Sequence, residues 1–95
     1  MTMPRVLNCR DGEHPGAVYI GRQTRTGRRR SKFANPFRIE RDGTREECVA
    51  KFEAYLLARP ELLEAARREL RGRDLACWCA PELCHGHVLL RYANE

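Results

Sequence analysis

The 95-residue sequence predicts a small single-domain α/β fold spanning 1–95, with a short mixed sheet of three to four strands packed by three helices. Three observations carry this. Short apolar segments at both ends of the chain have strand character, a capped pair of amphipathic helices fills the middle, and a last helical segment follows the most apolar strand. The length allows one modest core, because chains of this size bury roughly 60–70% of their unfolded surface. With 42% hydrophobic and 33% charged residues the composition is that of a globular chain and not a disordered one.

Taken in order, Pro4 to Cys9 reads as a first strand with Val6 and Leu7 inward. Asp11, Gly12, Pro15 and Gly16 form a turn-rich loop, and Ala17 to Ile20 a second strand closed by Gly21. A polar loop over 22–32 ends at Asn35-Pro36-Phe37, since proline fixes its own φ and drives the residue before it to an extended conformation. Phe37 to Glu40 is a candidate third strand, and Arg41-Asp42-Gly43 a turn. Thr44-Arg45-Glu46-Glu47 fits a capping box. The helix it opens carries Cys48, Val49, Phe52, Tyr55 and Leu56 at helical spacing and ends near Arg59.

Pro60 suits the first turn of a second helix, whose stripe is Leu62, Leu63, Ala66 and Leu70. Glu64 can pair there with Arg67 or Arg68, and Gly72 is placed as the stop. Leu75 to Cys79 is the best strand, with Leu75, Cys77 and Cys79 on one face and Ala76 and Trp78 on the other. Core packing is expected of both Cys77 and Trp78. Ala80-Pro81-Glu82 turns the chain into a last helix from about Leu83 to Tyr92, packing Val88, Leu89 and Tyr92.

The net charge of +5 is concentrated in one place. Arg22, Arg25, Arg28, Arg29, Arg30 and Lys32 fall within the 22–32 loop with no acid among them, and outside it 12 basic residues face 13 acidic ones. A basic, glycine-containing loop can neutralise phosphates and release counterions. The plain alternative is a solvated loop that keeps the protein soluble. Base stacking would have to come from outside the arginine run, with Phe33 or Phe37 the nearest aromatics. No apolar run approaches the ~18 residues of a membrane span, and no secretion signal opens the chain. A cytoplasmic protein without membrane contact is therefore expected.

Five cysteines without a secretion signal argue against a disulfide framework. Three of them crowd with two histidines in Cys77-Trp78-Cys79-Ala80-Pro81-Glu82-Leu83-Cys84-His85-Gly86-His87. One reading is a zinc site made of Cys77, Cys79, Cys84 and His85, a normal tetrahedral donor set. Its spacing lacks paired C-x-x-C knuckles, and strand residues two apart hold their side chains roughly 6.5–7 Å apart. A second reading is a reactive thiolate or anion pocket. Cys84 lies at a helix start, where free N–H groups and the dipole favour anions and thiolates, with His85 beside it as acid or base. The cysteine-phosphatase signature is not met, because position 90 is Leu90 and Arg91 falls one place late. The zinc-deaminase pattern also fails for want of His-x-Glu before Pro-Cys-x-x-Cys. Cys48 reads as core, and His14 and His87 as solvated.

The chain as a whole resembles a family of small phage and bacterial proteins, the domain of unknown function 4326. The likeness runs from about Val6 to Leu90. It rests on Val6-Leu7-Asn8-Cys9-Arg10, Val18-Tyr19-Ile20-Gly21-Arg22, Ser31-Lys32-Phe33-Ala34-Asn35-Pro36-Phe37, Leu70-Arg71-Gly72-Arg73, and Leu75-Ala76-Cys77-Trp78-Cys79-Ala80-Pro81 with Cys84-His85-Gly86. Where the family commonly has Asp after Cys-His-Gly this chain has His87, so no carboxylate ligand is implied there. The resemblance implies no activity. It singles out Asn8, Arg22, Lys32, Asn35, Cys84 and His85 as polar residues at strand ends or loop junctions, where α/β sheets form their ligand crevices.

The expected function is binding of a phosphate-bearing ligand, a nucleotide or nucleic acid. Asn8 and Asn35 would orient it, Arg22, Lys32, Arg28, Arg29 and Arg30 would neutralise phosphate, and Cys84 and His85 would be the candidate catalytic pair. The alternatives are a zinc-binding structural or adaptor module and a nucleic-acid-binding accessory protein acting through the basic loop.

Overall fold

A computed structural model describes residues 4–12, 14–24, 27, 29–78 and 82–95, with Asp11 by its backbone alone. Strands β1 (Val6–Asn8), β2 (Val18–Tyr19) and β3 (Leu75–Cys77) form one sheet in the order β1-β3-β2. Both pairs are parallel. Val6 faces Leu75 and Asn8 faces Cys77 on one side of β3, and Val18 faces Leu75 on the other. The expected small α/β domain is therefore present with a three-stranded sheet, but its described strands are parallel where a mixed sheet was expected.

The reason lies between β1 and β2. A single 3-10 turn at Cys9–Asp11 and a second turn closed by Ala17 N–H to the His14 carbonyl (3.0 Å) prevent a hairpin. The chain instead re-enters in the same direction with room left for β3. That central strand is buried at all three positions, as suits a strand covered on both faces. The described strand ends at Cys77, short of the expected Cys79, and the turn expected at Ala80-Pro81 lies outside the described residues.

Three helices complete the domain: α1 (Arg45–Leu57), α2 (Pro60–Leu70) and α3 (His85–Ala93), with α3 packed on β1 and β3 and the other two helices packed on α3. The capping box of α1 forms as its sequence predicts. Glu47 N–H donates to Thr44 Oγ1 (3.2 Å) and Thr44 N–H to Glu47 Oε1 (3.0 Å). Cys48, Phe52 and Leu56 are buried at four-residue spacing, while Val49 and Tyr55 are half-buried. Pro60 opens α2, and Gly72, at φ +72°, follows its end in the left-handed region. Arg67 reaches the Tyr92 carbonyl and Arg68 pairs with Glu69, so neither takes the expected pairing with Glu64.

Phe52, Leu56, Leu70, Leu75, Leu89 and Ile20 are fully buried and form the centre of the core. Each contributes about 1.5–3 kcal/mol of burial. Gly86, in the first turn of α3, allows the helix to lie against the sheet. A Cβ there would stand 2.9 Å from Ile20 Cδ1 and 3.1 Å from Val6 Cγ2.

Phe37 to Glu40 is not a strand. Arg38 N–H donates to Asp42 Oδ2, Glu40 N–H to the Gly43 carbonyl and Asp42 N–H to the Arg38 carbonyl, all at 2.8 Å. Glu40 takes φ +76° to close this turn. The backbone groups a strand would offer to a neighbour are thus used locally. The Arg41 guanidinium, helped by the Arg38 N–H, holds the Asp42 carboxyl below its ordinary range.

Candidate functional site

A cavity of about 510 Å³ opens beyond the carboxyl ends of β2 and β3, against the start of α3. This is the position at which open parallel sheets take ligands. Cys77, Cys84 and His85 line its inner end, and Phe37, Ile39, Val49, Trp78 and Leu83 form apolar walls. Arg22, Arg38, Arg45 and Asn35 supply the polar groups around them, with Gln23 and Thr24. Among the described residues no Asp or Glu lines the cavity, so its fixed charges are all positive.

The inner end is organised by the α3 cap. Cys84 is the N-cap residue, its Sγ accepting the Gly86 N–H at 3.3 Å. The Cys84 N–H in turn donates to His87 Nδ1 at 3.1 Å. Cysteine and histidine thus fill the roles that Ser or Thr and Glu take in an ordinary capping box. His85 is buried, with Nε2 2.9 Å from the Ile20 carbonyl. A carbonyl only accepts, so Nε2 carries the hydrogen. On the neutral ring Nδ1 then presents a lone pair, and it lies 3.7 Å from Cys84 Sγ. The ring meets Phe52 edge-on, with centroids 5.0 Å apart. Cys77, from β3, brings its Sγ to 3.1 Å from that of Cys84.

Around the mouth, two expected ligand residues also hold the wall together. The Arg22 guanidinium donates to the Asn35 carbonyl (3.2 and 3.0 Å) and the Phe37 carbonyl (2.8 Å). Asn35 Oδ1 accepts the Phe37 N–H (2.9 Å), and Asn35 Nδ2 donates to the Cys48 carbonyl (3.4 Å). Arg45, at the first turn of α1, donates to the Leu83 carbonyl (3.2 Å) and pairs with Glu82 (3.0 Å). It ties α1 to the entry of α3. Arg38 is an exposed residue of the lining.

Trp78 corrects an expectation: it does not pack in the core. It is 38% exposed, on the cavity wall, and its Nε1 donates to Tyr19 Oη (2.9 Å). The strand ends one residue earlier, so alternation no longer governs where Trp78 points. Tyr19 Oη also donates to the Arg22 carbonyl (2.6 Å), linking β2, the wall tryptophan and the start of the basic loop.

Of the expected site residues, the fold brings together Arg22, Asn35, Cys77, Cys84 and His85. Asn8 does not line the cavity. It caps the 3-10 turn by accepting the Arg10 N–H (2.8 Å) and reaches the Trp78 carbonyl (3.5 Å). Lys32 pairs with Glu69 of α2, and Arg29 and Arg30 are exposed outside the cavity lining. Arg28 and Cys79 lie outside the described residues. No group of three or more His, Cys, Asp or Glu side chains among the described residues is arranged to hold a metal. Of the two aromatics considered for stacking, Phe37 lines the cavity and Phe33 is in the core. Sequence reasoning missed Arg38, Arg45 and Trp78. The signal for Trp78 was the chain's one tryptophan at the edge of its best strand.

The sequence profile of a family described as Domain of unknown function (DUF4326) matches residues 7–95. A curated protein of Acanthamoeba polyphaga mimivirus, "Uncharacterized protein R718", is 32% identical over 85 residues, covering 78% of this chain and 64% of that protein. The "Uncharacterized 12.4 kDa protein in nrdA-td intergenic region" of Enterobacteria phage T4 is 32% identical over 56 residues, 56% of this chain and 52% of that protein. The chain thus spans between half and two thirds of the length of these relatives. No solved structure matches. No helix among the described residues is long and apolar enough to cross a membrane.

Proposed function

Given that this chain belongs to the Domain of unknown function (DUF4326) family, whose name assigns no chemistry, we propose from the cavity itself that the protein binds a nucleotide. The carrying observation is a cavity of about 510 Å³ that has aromatic walls, three arginines and no carboxylate among its described lining residues. Its volume falls inside the usual ~300–1,000 Å³ of small-molecule sites. Trp78 and Phe37 offer faces for a base, while Gln23, Thr24 and Asn35 offer polar groups to fix its orientation. Arg38 and Arg45 supply charge for phosphate, Arg45 by exchanging its exposed partner Glu82 for the ligand.

The chain's single tryptophan is on the cavity wall, which makes its fluorescence the direct readout. Titration with nucleoside mono-, di- and triphosphates is expected to change Trp78 emission saturably, with the parent nucleosides and inorganic phosphate each weaker. Absence of any saturable response, together with no thermal shift from any nucleotide, overturns the reading. Binding of oligonucleotides in preference to mononucleotides, with a steep fall in salt that Arg29→Ala and Arg30→Ala flatten, would assign the ligand to nucleic acid instead.

A second reading follows from one distance. Cys84 Sγ stands 3.7 Å from His85 Nδ1 and accepts an N–H at a helix start, the arrangement of an activated thiol. Cys84 would then be the nucleophile and His85 the base toward a bound electrophile. Iodoacetamide is expected to alkylate Cys84 ahead of Cys48 at neutral pH, with nucleotide protecting it. Slow, unprotected alkylation removes the nucleophile and leaves the binding site.

A further inference from the structure

The two sulfurs at the inner end of the cavity have a relationship that ligand binding does not require. Cys77 Sγ and Cys84 Sγ are 3.1 Å apart, each residue is 2% exposed, and both line the cavity. Both are thiols in the structure. A disulfide needs the sulfurs at about 2.05 Å, so an approach of about 1 Å would join them. The bulk of each residue is sealed from solvent, and the cavity supplies the path by which a small oxidant reaches the sulfurs. Cys48, also on the cavity wall, directs its thiol to the Gly43 carbonyl at 3.7 Å. Cys9 is buried and outside the cavity lining.

We propose that Cys77 and Cys84 are a redox modification site, converted by a peroxide to a reversible disulfide at the inner end of the cavity. Cys84 is the attacking thiol, because its sulfur accepts the Gly86 N–H and faces His85 Nδ1. Its proton passes to His85 as the sulfur attacks one peroxide oxygen. The O–O bond breaks, the S–O bond of a sulfenic acid forms, and the departing hydroxide leaves as water with the proton from His85. Cys77 then attacks the Cys84 sulfur. The S–S bond forms, the S–O bond breaks, and a second water leaves with the Cys77 proton. Two thiols are oxidised and one peroxide is reduced to two waters. A small dithiol reverses the change. The site does not depend on which ligand fills the cavity.

The test uses the full chain treated with one equivalent of hydrogen peroxide and then mapped by mass spectrometry. Cleavage after Trp78 and after Glu82 places Cys77, Cys79 and Cys84 on three separate fragments. The expected product has lost two hydrogens, carries a bridge between the Cys77 and Cys84 fragments, forms before Cys48 is measurably oxidised, and returns to two thiols with dithiothreitol. Cys79→Ser leaves the bridge intact, and Cys77→Ser stops at a sulfenic acid on Cys84 that dimedone traps. A bridge from Cys84 to Cys79, oxidation of Cys84 to the sulfinic acid without a bridge, or no reaction at either thiol overturns the proposal. The mapping is done on the unaltered chain, so it does not depend on any variant folding.

Discussion

At the inner end of the cavity, Cys84 and His85 are buried, and their polar atoms meet the Gly86 N–H, the Ile20 carbonyl and His87. Along the basic loop, Arg29 and Arg30 stand in solvent, and Lys32 is exposed where it reaches the half-buried Glu69. The first region is held by packing and hydrogen bonds that fix atoms in place. In the second, Arg29, Arg30 and Lys32 carry charges that water screens. Exposed ion pairs contribute about 0–1 kcal/mol, whereas an edge-on aromatic contact over a buried ring adds to an already large burial term. Number of charges is thus a poor guide to where the cavity lies in this protein. Two arginines outside the run, Arg38 and Arg45, line the cavity, whereas of the run's described residues Arg22 lines it and Arg29, Arg30 and Lys32 do not.

The largest test of that contrast is Phe52→Ala. Phe52 is fully buried and supports the His85 ring, so its truncation is expected to cost about 3–5 kcal/mol in urea unfolding. A cost near that of a surface change would mean the inner end is less rigid than its contacts imply. Next, Arg38→Ala and Arg45→Ala should each weaken nucleotide binding by about tenfold or more, the scale of a charge-assisted hydrogen bond of ~1.5–3 kcal/mol. Arg29→Ala and Arg30→Ala should leave mononucleotide affinity nearly unchanged. Trp78 fluorescence titration separates the two pairs, and equal losses would return the phosphate role to the loop.

Thr44→Ala is expected to cost ~1 kcal/mol through loss of the α1 cap. The Glu47 carboxyl is held below its ordinary value, first by the Thr44 backbone N–H and then by its side chain. A depressed folded value stabilises above the ordinary carboxylate range and is lost as pH falls through it. Glu47→Gln should therefore flatten the acid limb of the stability curve, measured by urea midpoints at stepped pH. The smallest effect is Lys32→Ala, expected within ~0.5 kcal/mol because its pairing with Glu69 is exposed. A larger loss there would show that the loop is anchored by this contact.

Much of the fold was legible because its signals are local. Thr44 and Glu47 meet across one helical turn, Pro60 presets a first turn, and Cys48, Phe52 and Leu56 repeat at the helical period, so short-range geometry alone decides them. The site was legible in part for the same reason. Cys84 at a helix start needs only its own neighbours to be recognised. Strand direction was not legible, since alternation reports which face is buried and carries no sense of polarity. Phe37 to Glu40 has strand-like composition, but Asp42 and Gly43 draw its backbone groups into a turn.

The sequence by itself determined the capped helices, the parts list of an α/β domain, the Cys-His corner and its family. Those follow from propensity, periodicity and motif, which act over a few residues. Tertiary structure alone decided that β3 lies between β1 and β2, that Cys77 meets Cys84, and that Arg38 and Arg45 come to one cavity mouth with Trp78 on its wall. Each joins residues from separate elements. Such meetings are set by how the helices and strands pack around one core, a property no stretch of the chain carries alone.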